Sequence, residues 1–134
     1  MIVRLLAPLA ALLVLAACNA TTDRDLADQH SLAEAKPVGE AVSCIPLQQI
    51  DNTRIRDERT IDFELKGRRI FRNTLPGDCP GLRFNESFSY STSLPSLCSV
   101  DLIRVYRAGA GPDGPTCQLG EFQEIELPGR STLR

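Results

Sequence analysis

Four cysteines behind an export-type N-terminus constrain this chain more than any other feature. Arg4 supplies a positive start, and residues 5–17 form an apolar run ending Leu15-Ala16-Ala17. That is the build of a signal segment. Its thirteen residues fall short of the roughly 20 that a membrane-crossing helix needs, so the segment reads as a targeting element that is cleaved. An exported chain meets an oxidising compartment, and Cys44, Cys79, Cys98 and Cys117 are even in number, so two disulfides are expected. Four cysteines allow three connectivities, and sequence alone does not choose among them. The expected pairing joins Cys79 to Cys98, closing the segment that carries Phe84, Phe88 and Tyr90, and Cys44 to Cys117, tying the start of the domain to its last strand.

A metal site would use cysteine differently. The four are separated by 35, 19 and 19 residues with no C-x-x-C pair, and the one histidine, His30, lies far upstream. Neither structural zinc nor a redox-active pair fits that spacing, and no cofactor is expected.

From Cys44 onward the apolar period is two. In Thr60-Ile61-Asp62-Phe63-Glu64-Leu65 the apolar side chains share one face, and Thr60, Asp62 and Glu64 share the other, predicted to be solvated. Lys66-Gly67 marks a turn and residues 68–74 a returning strand. Phe84, Phe88 and Tyr90 mark a further extended stretch and are expected in the core, residues 94–99 read as a loop, and residues 101–122 read as a second hairpin around a Gly-Pro-rich reversal. The fold class is therefore all-β, a small antiparallel barrel or sandwich of about five to seven strands stapled by two disulfides. It stands behind the signal segment 1–17 and a flexible tether, 18–43. The domain occupies 44–127, and 128–134 is a frayed tail. The tether is polar and net acidic, too poor in apolar residues to offset the cost of ordering. A short helix over Asp25–Ala35 is too polar to stand alone, and His30 is simply solvated.

Two resemblances add to this. Leu15-Ala16-Ala17-Cys18 resembles the lipobox of bacterial lipoproteins, which implies a diacylglyceryl group on Cys18, cleavage before it, and anchoring through several acyl chains. Asn19 follows the cysteine where aspartate in such lipoproteins commonly directs inner-membrane retention, so the resemblance implies the periplasmic face of the outer membrane. Separately, Cys79-Pro80-Gly81-Leu82 and Cys117-Gln118-Leu119-Gly120-Glu121-Phe122, together with Asn73 and Asp101, resemble an uncharacterised family of short proteobacterial secreted proteins and lipoproteins carrying a domain of unknown function. That likeness implies export and a cysteine framework, but no substrate and no catalytic residue.

Loss of residues 1–17 leaves 117 residues with 14 basic and 17 acidic side chains, a net charge near −3. An exported, mildly acidic domain is not a nucleic-acid binder. Nucleophilic triads need a histidine inside the fold, and His30 is in the tether, so an enzyme is not expected. The acids Asp57, Glu58, Asp62, Glu64 and Asp101 read as turn and strand surface, leaving a weak carboxylate hydrolase as the last alternative. Residues 54–83 carry eight Lys or Arg against five acids. Within them Arg68, Arg69 and Arg72 are a candidate anion-binding set for lipid A, anionic phospholipid or an acidic envelope partner; the competing reading pairs them with acids across the sheet. The reading that results is a lipid-anchored binding or structural module. Its main alternative is an inhibitor of a lytic enzyme such as lysozyme, acting through the reversal at Gly109–Gly114.

Overall fold

The computed structural model describes residues 19–107, 109 and 113–128. Residues 1–17, expected to be a signal segment, Cys18 and the end of the tail lie outside the described residues. Helix α1 (Asn19–Glu34) opens the chain, followed by β1 (Lys36–Pro37), β2 (Cys44–Pro46), β3 (Ile50–Ile55), β4 (Thr60–Leu65) and β5 (Ile70–Thr74). A short helix α2 (Leu82–Asn85) precedes β6 (Phe88–Tyr90), β7 (Ser96–Cys98), β8 (Leu102–Val105), β9 (Thr116–Gln118) and β10 (Phe122–Glu126). All pairings are antiparallel: a five-stranded sheet in the order β1-β10-β5-β4-β3, a pair β2-β7, and a three-stranded sheet β6-β8-β9.

The alternation in β4 does what its pattern predicts on one side. Ile61, Phe63 and Leu65 turn inward with Ile55, Phe71 and Phe122, and meet Ile45 and Leu97 of the two-stranded sheet and Ile103 and Val105 of the three-stranded one. Phe63 packs edge-on against Phe122 and Phe88, ring centres 5.5 and 6.3 Å away. One core thus lies between the large sheet and the two small ones. The hairpin between β4 and β5 closes where the Leu65 amide donates to the Arg69 carbonyl, leaving a three-residue loop, 66–68, in which Gly67 and Arg68 both stand at positive φ.

The Cys-x-Leu-Gly-x-Phe segment has a packing role. Leu119 and Phe122 are buried, and Gly120 lies so close to β5 that a Cβ there would stand 2.1 Å from the carbonyl oxygen of Thr74. That approach lets buried Asn73 exchange two hydrogen bonds with the Gly120 backbone: its Nδ2 donates to the carbonyl at 2.6 Å, and its Oδ1 accepts from the amide at 2.8 Å.

Several expectations change. The disulfides join Cys44 to Cys98 and Cys79 to Cys117, not Cys79 to Cys98 and Cys44 to Cys117. The reason is register. Ser99 donates to Ser43 across the ladder, so the next pair, Cys44 opposite Cys98, is of the closely approaching type without mutual hydrogen bonds, with Cα atoms 4.0 Å apart. In the chain-entropy picture, closures of 54 and 38 residues contribute about 4 kcal/mol each. Residues 96–98, expected in a loop, are the strand that carries Cys98 into this ladder. Phe84, expected on an extended core stretch, sits on α2 and is 89% exposed. Phe88 is half-buried and Tyr90 is partly exposed.

The segment before the domain carries more structure than its composition suggests. Helix α1 is longer than the one expected over Asp25–Ala35, and Lys36 and Pro37 pair with Glu126 and Ile125 as an edge strand. Val42 bridges Phe122 as well. Ordered sheet therefore begins ahead of Cys44.

Candidate functional site

The outer face of the five-stranded sheet carries the most concentrated chemistry in the molecule. On that face Asp62 of β4 stands opposite Arg72 of β5, as alternation requires, yet neither meets solvent. Asp62 is completely buried because α1 crosses above it. Asp25, Asp28 and Ser31 recur every three residues on α1 and so share one side of the helix. Asp28 and Ser31 are buried by this contact, while Leu26 on another side is exposed.

The side chains form a continuous ionic seam. Asp62 Oδ1 accepts from Arg72 Nε at 2.7 Å, and Oδ2 accepts from Arg72 Nη2 at 2.9 Å and from Arg56 Nε at 2.8 Å. Arg56, just beyond β3, then donates through Nη1 to Asp28 Oδ1 at 2.6 Å. Arg83 of α2 lies 3.0 Å from Asp28 Oδ2, a Coulombic contact rather than an aligned hydrogen bond, so that oxygen accepts no hydrogen bond despite its burial. Arg83 also pairs with Asp25 and Glu86, and Arg24 reaches Glu86 at 2.8 Å. Burial by itself would lower the pKa of Arg83. The Asp25 hydrogen bond and the charges of Asp28 and Glu86 outweigh that and raise it, so the guanidinium stays charged. Four arginines and four carboxylates are thus interlocked, and the planar guanidinium fork is the group suited to such bridging.

The three arginines expected as one anion site do not come together. Arg72 is bound under α1. Arg69 forms a forked pair with Glu124, both bonds 2.9 Å, and lies 5.0 Å above the Phe71 ring on the opposite face of the sheet. Arg68 stands at the hairpin tip. The cross-sheet reading of these residues describes Arg69 and Arg72.

Of the acids weighed for hydrolysis, Asp57 and Glu58 line one cavity of about 340 Å³ with Asp25, Arg56 and Arg83, and neither Asp62 nor Asp101 lines it. Asp57 accepts from the Arg59 amide in the turn before β4, Glu58 from the Leu82 amide at the start of α2, and Asp101 from the Cys98 amide. Asp62 is saturated by two arginines. His30 is exposed on α1, beside a small cleft with Ser31, Arg54 and Arg56. Within the reversal at Gly109–Gly114, residues 110–112 lie outside the described residues.

Sequence reading missed the seam because it looked for an apolar stripe on α1, and α1 docks by its polar side. The available signal was the three-residue spacing of Asp25, Asp28 and Ser31 facing the arginine-rich stretch 54–83. No protein-family model, curated protein or solved structure matches this chain.

Proposed function

We propose that this protein is an envelope lipoprotein, held on the periplasmic face of the outer membrane by acyl chains on Cys18, that works by binding rather than by catalysis. The lipobox-like Leu15-Ala16-Ala17-Cys18 and the likeness to short secreted proteobacterial proteins support the anchor. The observation that carries the reading further is the position of α1. The described helix, Asn19–Glu34, is fastened to the sheet by Asp25 and Asp28. Only residues 19–24 lie between Cys18 and the first of these contacts, about 9 Å at 1.5 Å per residue, so the helix would mount the domain close to its lipid anchor. Binding is favoured because Asp28 and Asp62 are engaged by arginine and Asp57, Glu58 and Asp101 each accept from a backbone amide, so that these five acids are occupied in holding the fold together.

The test is metabolic labelling with palmitate, combined with crosslinking in intact cells and recovery through a C-terminal tag. Wild type incorporates label, fractionates with the outer membrane and brings down an envelope component. Cys18→Ala incorporates none and is lost from the membrane fraction. An unlabelled wild-type protein recovered from the soluble periplasm would end the lipoprotein reading.

A further inference from the structure

Two sheet edges open into one groove on the side of the molecule away from β10. β3 is the last strand of the five-stranded sheet and β6 the last of the three-stranded sheet. The groove between them, about 370 Å³, is lined by residues 50–53 of β3 and by Glu86, Ser87, Phe88 and Tyr90. That volume is at the lower end of the ~300–1,000 Å³ typical of ligand sites.

The ladders fix which backbone groups face it. Arg56 donates to Thr60 across the β3–β4 hairpin, so hydrogen-bonded pairs alternate from there. Ile55 and Thr53 fall at the positions whose N–H and C=O point away from β4. Arg83 confirms the phase by donating to the outward carbonyl of Ile55 at 3.2 Å. On the other side Tyr106 donates to Ser87, which by the same alternation turns the N–H and C=O of Phe88 and Tyr90 away from β8 and outward. Thr53, Phe88 and Tyr90 thus present six main-chain hydrogen-bonding groups at one groove. Tyr90 is 39% exposed and its ring lies 6.4 Å from that of Phe88. At the end of the groove the exposed carboxylate of Asp51 has no ion-pair partner among the described residues.

We infer that this groove binds an extended segment of a partner polypeptide, which pairs as an added strand with Thr53 on one side and Phe88 and Tyr90 on the other. Unpaired strand edges recruit strands, and the local chemistry selects the kind. The two rings call for an apolar or aromatic side chain on one face of the segment. Asp51 calls for a Lys or Arg at its end. A second copy of this chain is a poor occupant, because β3 is interrupted by a bulge between Ile50 and Asn52 and capped by Arg83 at Ile55. That leaves too short a run for edge-to-edge pairing of two β3 strands. This inference rests on the binding role proposed above and gives it a site and a partner class.

The experiment pans a random decapeptide display library against the purified full-length protein, against Thr53→Pro and against Asp51→Lys. Proline removes the outward N–H of Thr53 at an edge position, where proline is tolerated, and Asp51 is exposed, so both variants keep the fold. Wild type is expected to enrich peptides with alternating apolar residues and a terminal Lys or Arg, and one such synthetic peptide slows amide exchange at Thr53, Phe88 and Tyr90 at least tenfold. Thr53→Pro weakens that peptide at least tenfold, and Asp51→Lys removes the preference for basic residues. Absence of enrichment overturns the inference. Equal binding by Thr53→Pro does the same, as does a wild-type dimer that Thr53→Pro dissociates, which would put a second copy in the groove. None of these results alters palmitate incorporation at Cys18, so failure of this site and failure of the anchor are read separately.

Discussion

The two faces of the five-stranded sheet are buried by opposite means. On the inner face Ile61, Phe63, Phe71 and Phe122 are covered by the two small sheets, and burial there is favourable residue by residue, about 25 cal/mol per Å² of apolar surface. On the outer face Asp62, Arg72 and Arg56 are covered by α1, and no single residue gains from being there. Each charge loses hydration and recovers it only through its neighbours. The apolar face degrades gradually as atoms are removed. The ionic face is stable as a closed set and fragile when one member is missing.

Removal of Asp62 breaks the set at its most connected point and carries the largest expected effect. Asp62→Ala strands Arg72 under α1, leaves Arg56 with Asp28 alone, and should cost about 3–5 kcal/mol, measured by urea unfolding. Phe63→Ala on the inner face should cost a similar ~3–5 kcal/mol through lost contact and cavity. What separates the two is rescue. Replacing the whole chain of charges with Asp28→Leu, Arg56→Met, Asp62→Leu and Arg72→Met should return stability to within about 1 kcal/mol of wild type or above it, as apolar replacements of buried ion pairs often do. No second substitution of polar type restores Phe63→Ala. If Asp62→Ala cost under 1 kcal/mol, the outer face would not be a closed set.

This contrast also explains what could be read from the chain beforehand. Alternation in Thr60–Leu65 identified the strand and its inner face, because apolar burial leaves a local period. The same pattern marked Asp62 as solvated. Alternation says which residues share a face, but not what covers that face, and the cover comes from Asp28, distant in sequence. The cysteines show the same division. Their even number points to two disulfides, whereas the pairing depends on the register of β2 against β7, and that register is set by Ile45 and Leu97 reaching the core together. For the candidate sites, Arg68, Arg69 and Arg72 lie close together in sequence. A period of two, a hairpin tip and a burying helix then send them three different ways.

A smaller effect is expected where the helix, rather than the sheet, is loosened. Asp28→Asn keeps the shape but weakens the contacts to Arg56 and Arg83, both of which retain another carboxylate. A global loss of about 1–3 kcal/mol is expected, in the range for a disrupted hydrogen bond to a charged group. Hydrogen exchange sharpens the point. Amides across residues 23–34 should exchange with much less protection while those of Phe63 and Phe71 change little, since α1 has no apolar stripe to hold it once the ions let go. Equal loss of protection in helix and core would mean that the two faces unfold as one unit, and the contrast between them would then be energetic only.

The exposed pair at the sheet's end sets the lower limit of what a charge contributes here. The Arg69 hydrogen bonds lower the pKa of Glu124 from its ordinary 4.5, against a smaller opposing effect of burial, and both side chains keep contact with solvent. A carboxylate whose folded pKa is depressed contributes stability above its unfolded pKa and loses it as pH falls through the folded one. Arg69→Gln should therefore cost under about 1 kcal/mol at pH 7, as exposed pairs do. The gap from wild type should hold down to about the ordinary glutamate value and close only at lower pH, once Glu124 is protonated in the folded protein too. Unfolding curves for the two proteins from pH 7 to pH 3 measure it. A gap independent of pH would assign the effect to the lost packing of Arg69 over Phe71, which would make even this surface contact a matter of covering an aromatic ring rather than of pairing charges.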